Sequence, residues 1–337
     1  MSEGTYRILG GLGSPYSMKM RAILRYRRLP HVWVQLNDRN AYEIANVKPA
    51  VIPIIQFPDG VLRNDSTPLI FELERRHPNG RSIVPDDEGQ AFLAFLLEDM
   101  ADEWGTKMMF HYRWFRERDQ KQMSEWLAFD RLAGRGRAAI DAHAAQFGAR
   151  QIGRMALVGC TAANQALIEE TAHRVLALLD AHVTEEPYLF GTRPSLADFS
   201  WMGQLSQLAV DPTPADLMRE TAPFVMRWLA QLDDASGVEG AWRDPAVPLS
   251  PAVTGLLQMA GEVYFPFLIA NEDALKKGAE TFSFSALGMS YTQGTFKYQA
   301  KCLGELRARF RALSDEARQR LTPILRDTGC LDFLTRD

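Results

Sequence analysis

Residues 51–70, VIPIIQFPDGVLRNDSTPLI, restrict the fold of this chain more than any other stretch. Ile54 to Phe57 read as a short apolar strand. Pro58-Asp59-Gly60 supply a turn, with proline fixing φ and glycine free to take a positive φ. Residues 61–63 then return as the partner strand of a hairpin. Asp65 and Ser66 fall where a helix should begin, a place where a short side-chain oxygen can accept from unpaired backbone N–H groups. Pro68 lies in the first turn, where a missing N–H costs little. Pro53 cannot donate to a central ladder, so it belongs at a strand's first residue or at an edge. A cis Ile52–Pro53 bond, uncommon at random, would expose the backbone of Ile52 to whatever binds beside it.

Upstream, residues 6–12 read as a strand ending in glycines, 14–28 as a helix with Pro15 near its first turn, and 31–36 as a second strand. Residues 37–48 are polar, with room for a short helix. A βαβ unit followed by two strands and a helix over 67–76 gives a mixed sheet whose last pair is antiparallel. His77-Pro78-Asn79-Gly80 ends that helix sharply. From Glu88 the period becomes helical. A long helix begins near Phe92 and runs past Trp114, and a second covers 123–147 with Gly134 and Gly136 weakening its middle. A third covers 161–181, with Leu167, Ile168, Val175, Leu176 and Leu179 on one face. Further helices cover 194–208 and 222–232. Past Pro245, Pro248 and Pro251, residues 251–271 and 296–313 read as helices and 281–290 as a hairpin around Leu287-Gly288. Three units follow: 1–80, 88–240 and 245–337.

Composition narrows the setting. A chain of 337 residues can bury two cores. Cys160, Cys302 and Cys330 are few, odd in number and scattered, which argues against a disulfide framework and a zinc site and fits a reducing compartment. The N-terminus lacks a basic leader with an apolar core, and no apolar run approaches the length of a membrane span. The expected setting is cytoplasmic, with no membrane partner. Residues 1–85 hold 12 Lys and Arg against 7 Asp and Glu, although the whole chain carries a net charge of −4. A basic small unit suits an anionic ligand; an ordinary solvated surface is the plainer reading. Nothing has the charge density of a nucleic-acid footprint. His143, His173 and His182 show no ligand spacing to a cysteine or carboxylate, and no phosphate-binding glycine loop occurs, so neither a metal nor a nucleotide is expected.

Pro53 and Asp65-Ser66, set in that hairpin order, resemble the thioredoxin-like half of the cytosolic glutathione transferases. Tyr188-Leu-Phe-Gly191 followed by Ser195-Leu-Ala-Asp198, which has capping-box spacing, resembles the start of a core helix in their α-helical half. The resemblance covers about residues 5–235. It implies an α/β plus all-α chain: a thioredoxin-like N-terminal domain, an α-helical C-terminal domain, and here an additional mainly helical extension about which the family is silent. It also implies a homodimer and glutathione as cosubstrate. The cysteinyl part of glutathione would pair with the backbone of Ile52 beside Pro53, and Asp65 and Ser66 would hold its γ-glutamyl end. Asp65 is one carbon shorter than the Glu or Gln commoner there. The Ser195–Asp198 box is implied to serve folding alone.

Gly13-Ser14-Pro15-Tyr16-Ser17 opens the first helix where thioredoxin-like redox proteins hold Cys-x-x-Cys. Serines at both positions exclude disulfide exchange there. A hydroxyl at a helix N-terminus can instead donate to a glutathione thiolate and lower the thiol's pKa, aided by the helix dipole. Ser14 is the first candidate, Ser17 the second and Tyr16 the third; Ser14 also reads as a plain N-cap. Trp104, Met108, His111 and Tyr112 form an aromatic-rich face on the long helix, where the family builds its pocket for the second substrate. The same spacing suits core packing. The expected function is that of a serine-type glutathione transferase, activating the glutathione thiolate for attack on a small apolar electrophile. The alternative is a non-catalytic binding or scaffold protein with the same fold.

Overall fold

The computed structural model describes residues 4–78 and 80–336. Asn79 of the expected helix-ending turn and the first three residues of the N-terminal reading lie outside the described residues.

Strands β1 (Tyr6–Gly10), β2 (His31–Gln35), β3 (Ile54–Gln56) and β4 (Leu62–Asn64) form one sheet in the order β2-β1-β3-β4. β1 runs parallel to β2, with Ile8 opposite Trp33, and antiparallel to β3, with Ile8 opposite Ile55. The hairpin closes as its residues dictate: the Phe57 N–H donates to the Val61 carbonyl at 2.9 Å, and Gly60 takes φ +86°. The Ile52–Pro53 bond is cis, as is Lys48–Pro49. Helices α1 (Pro15–Tyr26) and α2 (Ser66–Arg76) complete a thioredoxin-like half.

The second half is helical. α3 (Glu88–Met100) runs through a π-helical turn, Ala101–Gly105, into α4 (Thr106–Phe115). The single helix expected over 123–147 is two, α5 (Glu117–Leu132) and α6 (Arg137–Ile152). Gly134 and Gly136 sit between them at φ +83° and +90°, a conformation no helix can absorb. α7 (Gln165–Glu185), α8 (Leu196–Leu208), α9 (Pro212–Thr221) and α10 (Pro223–Asp233) follow. α9 escaped the sequence reading because Pro212 and Pro214 look like breakers, yet both fall in its first turn. α8 is buried nearly all round. Its start is the expected box: the Asp198 carboxylate accepts from the Ser195 N–H at 2.8 Å, the Ser195 hydroxyl at 2.6 Å and the Leu189 N–H at 2.9 Å. α8 lies so close to α1 that a Cβ on Gly203 would meet the Pro15 carbonyl oxygen at 2.7 Å.

The C-terminal segment is built into the same core. α11 (Pro251–Met259) continues through a second π-helical turn, Ala260–Tyr264, into α12 (Phe265–Lys276). A hairpin of β5 (Thr281–Ala286) and β6 (Met289–Gly294) turns at Leu287 and Gly288, both at positive φ, as a two-residue hairpin loop requires. α13 (Lys297–Ala312), α14 (Asp315–Asp327) and α15 (Leu331–Thr335) end the chain. The continuous helix Pro251–Lys276 corrects the expectation that no run reaches membrane-span length: it is 26 residues long, and an 18-residue window within it has a mean hydropathy of 1.3. Its apolar window is 72% buried inside the fold, which makes it the extension's core helix. α13 covers α2 and α3: Phe310 packs on Phe92, and the Arg309 guanidinium lies 3.9 Å from the Phe95 ring centre and 4.3 Å from that of Phe71.

Candidate functional site

The loop from β1 to α1 delivers Ser14 to the rim of a cavity of about 490 Å³. Ser14 caps α1, its Oγ accepting from the Ser17 N–H at 3.2 Å. That bond uses a lone pair and leaves the hydroxyl proton free to donate. The loop is held from behind by α4 and α8. Arg113, 3% exposed, donates Nη1 to the Gly13 carbonyl at 2.8 Å, Nη2 to Gln207 at 2.8 Å and Nε to Asp211 at 2.9 Å. Gln207 in turn donates to the Leu12 carbonyl at 3.2 Å. Arg113, Gln207 and Asp211 therefore position the residue before Ser14, a role with no local signal in the sequence, since all three lie about a hundred residues or more away.

Ser17 and Tyr16 point elsewhere. Ser17 is fully buried, its Oγ against the Gly11 N–H at 3.4 Å. Tyr16 donates to the Asp102 carbonyl at 2.9 Å and lines a second cavity, and burial beside Asp102 and Glu103 pushes its phenol well above the ordinary value. Of the three hydroxyls, only Ser14 faces the larger cavity.

Ile52 lines both cavities and joins them. The second holds about 310 Å³ and is bordered by Asp65, Ser66, Asp99, Asp102 and Glu103. Asp65 occupies the N-cap position of α2, but its side chain makes no capping bond, contrary to expectation. It sits at φ +75°, which L-residues rarely adopt, and its carboxylate accepts instead from the Tyr298 hydroxyl at 3.2 and 3.3 Å. Ser66 begins the helix, with its Oγ 3.5 Å from Asp102 Oδ2. The π-helical turn swings Asp102 and Glu103 into this cavity; such turns recur at functional sites. Beneath them, Lys19 is 1% exposed and donates to Glu98 at 2.6 Å and Asp102 at 2.7 Å. Burial pushes the Asp102 carboxyl up to about 7, against the pull of the Lys19 ammonium, and raises Asp99 and Glu103 as well.

One expectation needs correction, and the charge excess takes its plainer reading. Trp104, Met108, His111 and Tyr112 line neither cavity; they are core residues. Trp104 donates to Thr171 at 3.0 Å and packs against Phe267 and Tyr291 of the extension. His111, kept neutral by burial, meets Glu169 at 2.9 Å. The cavity face of α4 carries Met109, Phe110, Arg113 and Trp114, one step round the helix, because the extension claims the other side. The basic excess of the N-terminal half is not gathered at the site either: Arg21 and Arg25 pair with Asp233, and Arg28 with Glu239. The arginines that face the larger cavity and form no ion pair among the described residues are Arg131 and Arg150. Finally, an apolar cavity of about 680 Å³, with Trp126 and Phe129 half exposed on its wall, adjoins Gly13. Among the described residues no group of His, Cys, Asp or Glu could hold a metal.

Comparison with known proteins gives a consistent assignment. The profile described as "Glutathione S-transferase, N-terminal domain" matches residues 10–81, and that described as "Glutathione S-transferase, C-terminal domain" matches residues 128–231. No curated protein matches the chain. Among solved structures, the chain is similar to a glutathione S-transferase from Methylobacterium radiotolerans JCM 2831 in complex with glutathione sulfonate (19% identity, 73% of this chain and 99% of that one, TM-score 0.43). It is similar also to a glutathione transferase family member from Pseudomonas fluorescens Pf-5 with two glutathione bound (17% identity, 76% and 94%, TM-score 0.44). A third is the beta-etherase LigF from Sphingobium sp. strain SYK-6 (16% identity, 75% and 98%, TM-score 0.45). With both halves of the fold matched in order, the chain belongs to the glutathione S-transferase family.

Proposed function

We propose that the protein is a serine-type glutathione transferase, binding glutathione across the two cavities that meet at Ile52 and directing its thiolate at a small apolar electrophile. The observation that carries this reading is the position of Ser14: a helix N-cap whose hydroxyl proton is uncommitted, on the rim of a cavity with apolar walls. With the cysteinyl part on the Ile52 backbone, the sulfur would lie near Ser14. An O–H···S⁻ hydrogen bond and the positive end of α1 favour the thiolate over the thiol, so the nucleophile is ready near neutral pH. The γ-glutamyl end would enter the smaller cavity, its carboxylate toward Ser66 and the α2 N-terminus and its ammonium toward Asp65. The glycine carboxylate would face Arg131 and Arg150. An apolar electrophile has two walls to choose from, Met109 to Trp114 on one side of the Gly13 loop and Trp126 with Phe129 on the other. The proton taken from the thiol leaves to solvent, and no residue of the chain is consumed.

One observation favours the alternative, a binding protein without turnover: Tyr298 of the extension already engages Asp65. Calorimetric titration of glutathione, with absorbance of the bound thiolate followed against pH, separates the two. Binding with a thiolate at neutral pH supports the transferase. Binding with the sulfur still protonated supports the alternative. No uptake at millimolar concentration ends the transferase reading and leaves the scaffold form of the alternative, whose test is a search for a protein partner of the extension. The homodimer expected from the resemblance would need a face other than the part of α2 and α3 beneath α13, and sedimentation equilibrium decides whether it forms.

A further inference from the structure

The smaller cavity is not made by the family's two domains alone. The extension supplies Tyr298, whose hydroxyl donates to Asp65. Tyr264, on the second π-helical turn, donates to Asp99 at 2.6 Å. Carboxyl groups outnumber the cations around the cavity. Asp65, Asp102 and Glu103 line it, and the cation beneath them, Lys19, is already shared between Glu98 and Asp102. Asp102 is 7% exposed and lines the cavity, and its buried Oδ1 has no hydrogen-bond partner among the described residues. A buried carboxylate oxygen without a donor is costly unless something arrives to satisfy it. The volume of about 310 Å³ and the ring of acceptors suit a compact primary ammonium.

We propose that the C-terminal extension is a working wall of the ligand site, and that Tyr298 determines its specificity by positioning Asp65 for the primary ammonium at the γ-glutamyl end of bound glutathione. This rests on the glutathione reading above. Asp65 makes no helix-capping bond and sits at a strained φ, so Tyr298 is what orients its carboxylate. While its hydrogen is given to Asp65, the Tyr298 oxygen still has lone pairs to accept from an ammonium N–H. Tyr298 is 44% exposed, which puts it at the mouth of the cavity, in the ligand's path. An N-acylated ligand has no ammonium to offer the acids and carries extra bulk beneath the tyrosine. The extension thus makes the site selective for a free amine.

The test is calorimetric titration of S-methylglutathione and its N-acetyl derivative into the full chain, wild type and Tyr298→Phe. S-methylation removes the thiol's own titration from the measurement. The wild type is expected to bind the free amine about tenfold or more tightly than the acetylated compound. Tyr298→Phe is expected to weaken the free amine about three- to tenfold while leaving the acetylated compound unchanged, so discrimination narrows. Asp65→Asn should narrow it in the same way, and it decides the matter if Tyr298→Phe does not fold. Equal loss for both compounds, or none for either, overturns the inference and leaves the glutathione reading standing. Equal affinity of the wild type for both compounds overturns the ammonium assignment. Uptake of neither compound by the wild type overturns the glutathione reading and this inference with it.

Discussion

Each side of the site rests on one buried cation, and the two are used differently. On the Ser14 side Arg113 faces one carboxylate, Asp211, and spends its other donors on Gln207 and the Gly13 carbonyl, so charge is matched one to one. On the Asp65 side Lys19 faces two carboxylates, Glu98 and Asp102, with Glu103 and Asp65 beyond. The first arrangement is complete in itself and holds a hydroxyl in place. The second gathers more carboxyl groups than cations at the cavity wall, and burial holds Asp99, Asp102 and Glu103 toward their protonated forms, which a ligand's cation would draw toward ionisation. Burial of a charged group is tolerated when it is paired.

The comparison can be broken most forcefully at the cations. Lys19→Met leaves two carboxylates buried without their partner and should lower stability by about 3–5 kcal/mol near neutral pH, read from the denaturation midpoint. The loss should shrink on acidification, as the stranded carboxyls take protons. A loss below about 1 kcal/mol would mean water reaches these groups and the contrast is false. Arg113→Met should cost a similar amount, and should also loosen the Gly13 carbonyl and reduce the bound thiolate signal, which Lys19→Met should affect far less.

Ligand affinity sharpens it further. Ser66→Ala is expected to weaken glutathione by about 1–2 kcal/mol without changing the thiolate fraction of what binds. Ser14→Ala should do the reverse, leaving affinity within about threefold while raising the pKa of the bound thiol by about one unit. Absorbance against pH, beside calorimetry, reports both. If the two variants behave alike, the two sides are not separate.

The smallest effect is on pH. Burial holds the Asp102 carboxyl near 7, above the unfolded value of 3.8, so the folded chain keeps a proton that the unfolded chain loses. Its contribution to stability is full below about 4 and disappears as pH rises through about 7. For the same reason, an ammonium ligand should bind more tightly as Asp102 ionises. S-methylglutathione affinity should rise a fewfold between about pH 6 and 8, and Asp102→Asn should flatten the profile. A flat wild-type profile would remove Asp102 from the ligand's surroundings.

The parts of this protein legible in its sequence are those made by neighbours along the chain. The Pro58-Asp59-Gly60 hairpin, the Ser195–Asp198 box, the Leu287-Gly288 turn and the Ser14 cap each depend on φ preferences and on hydrogen bonds spanning a few residues, so composition and spacing specify them. The order of strands and helices follows from the change of hydrophobic period at Glu88. Helix faces are less legible. Trp104, Met108, His111 and Tyr112 share a stripe that fits a pocket or a core equally well, and the choice fell to core because Phe267, Tyr291 and the rest of the extension pack there. What only the tertiary structure decided is the set of long-range partners: Arg113 behind Ser14, Lys19 beneath Asp102, Tyr298 upon Asp65. Charge pairing inside a protein depends on burial and distance in space, and neither is written in the separation of residues along the chain.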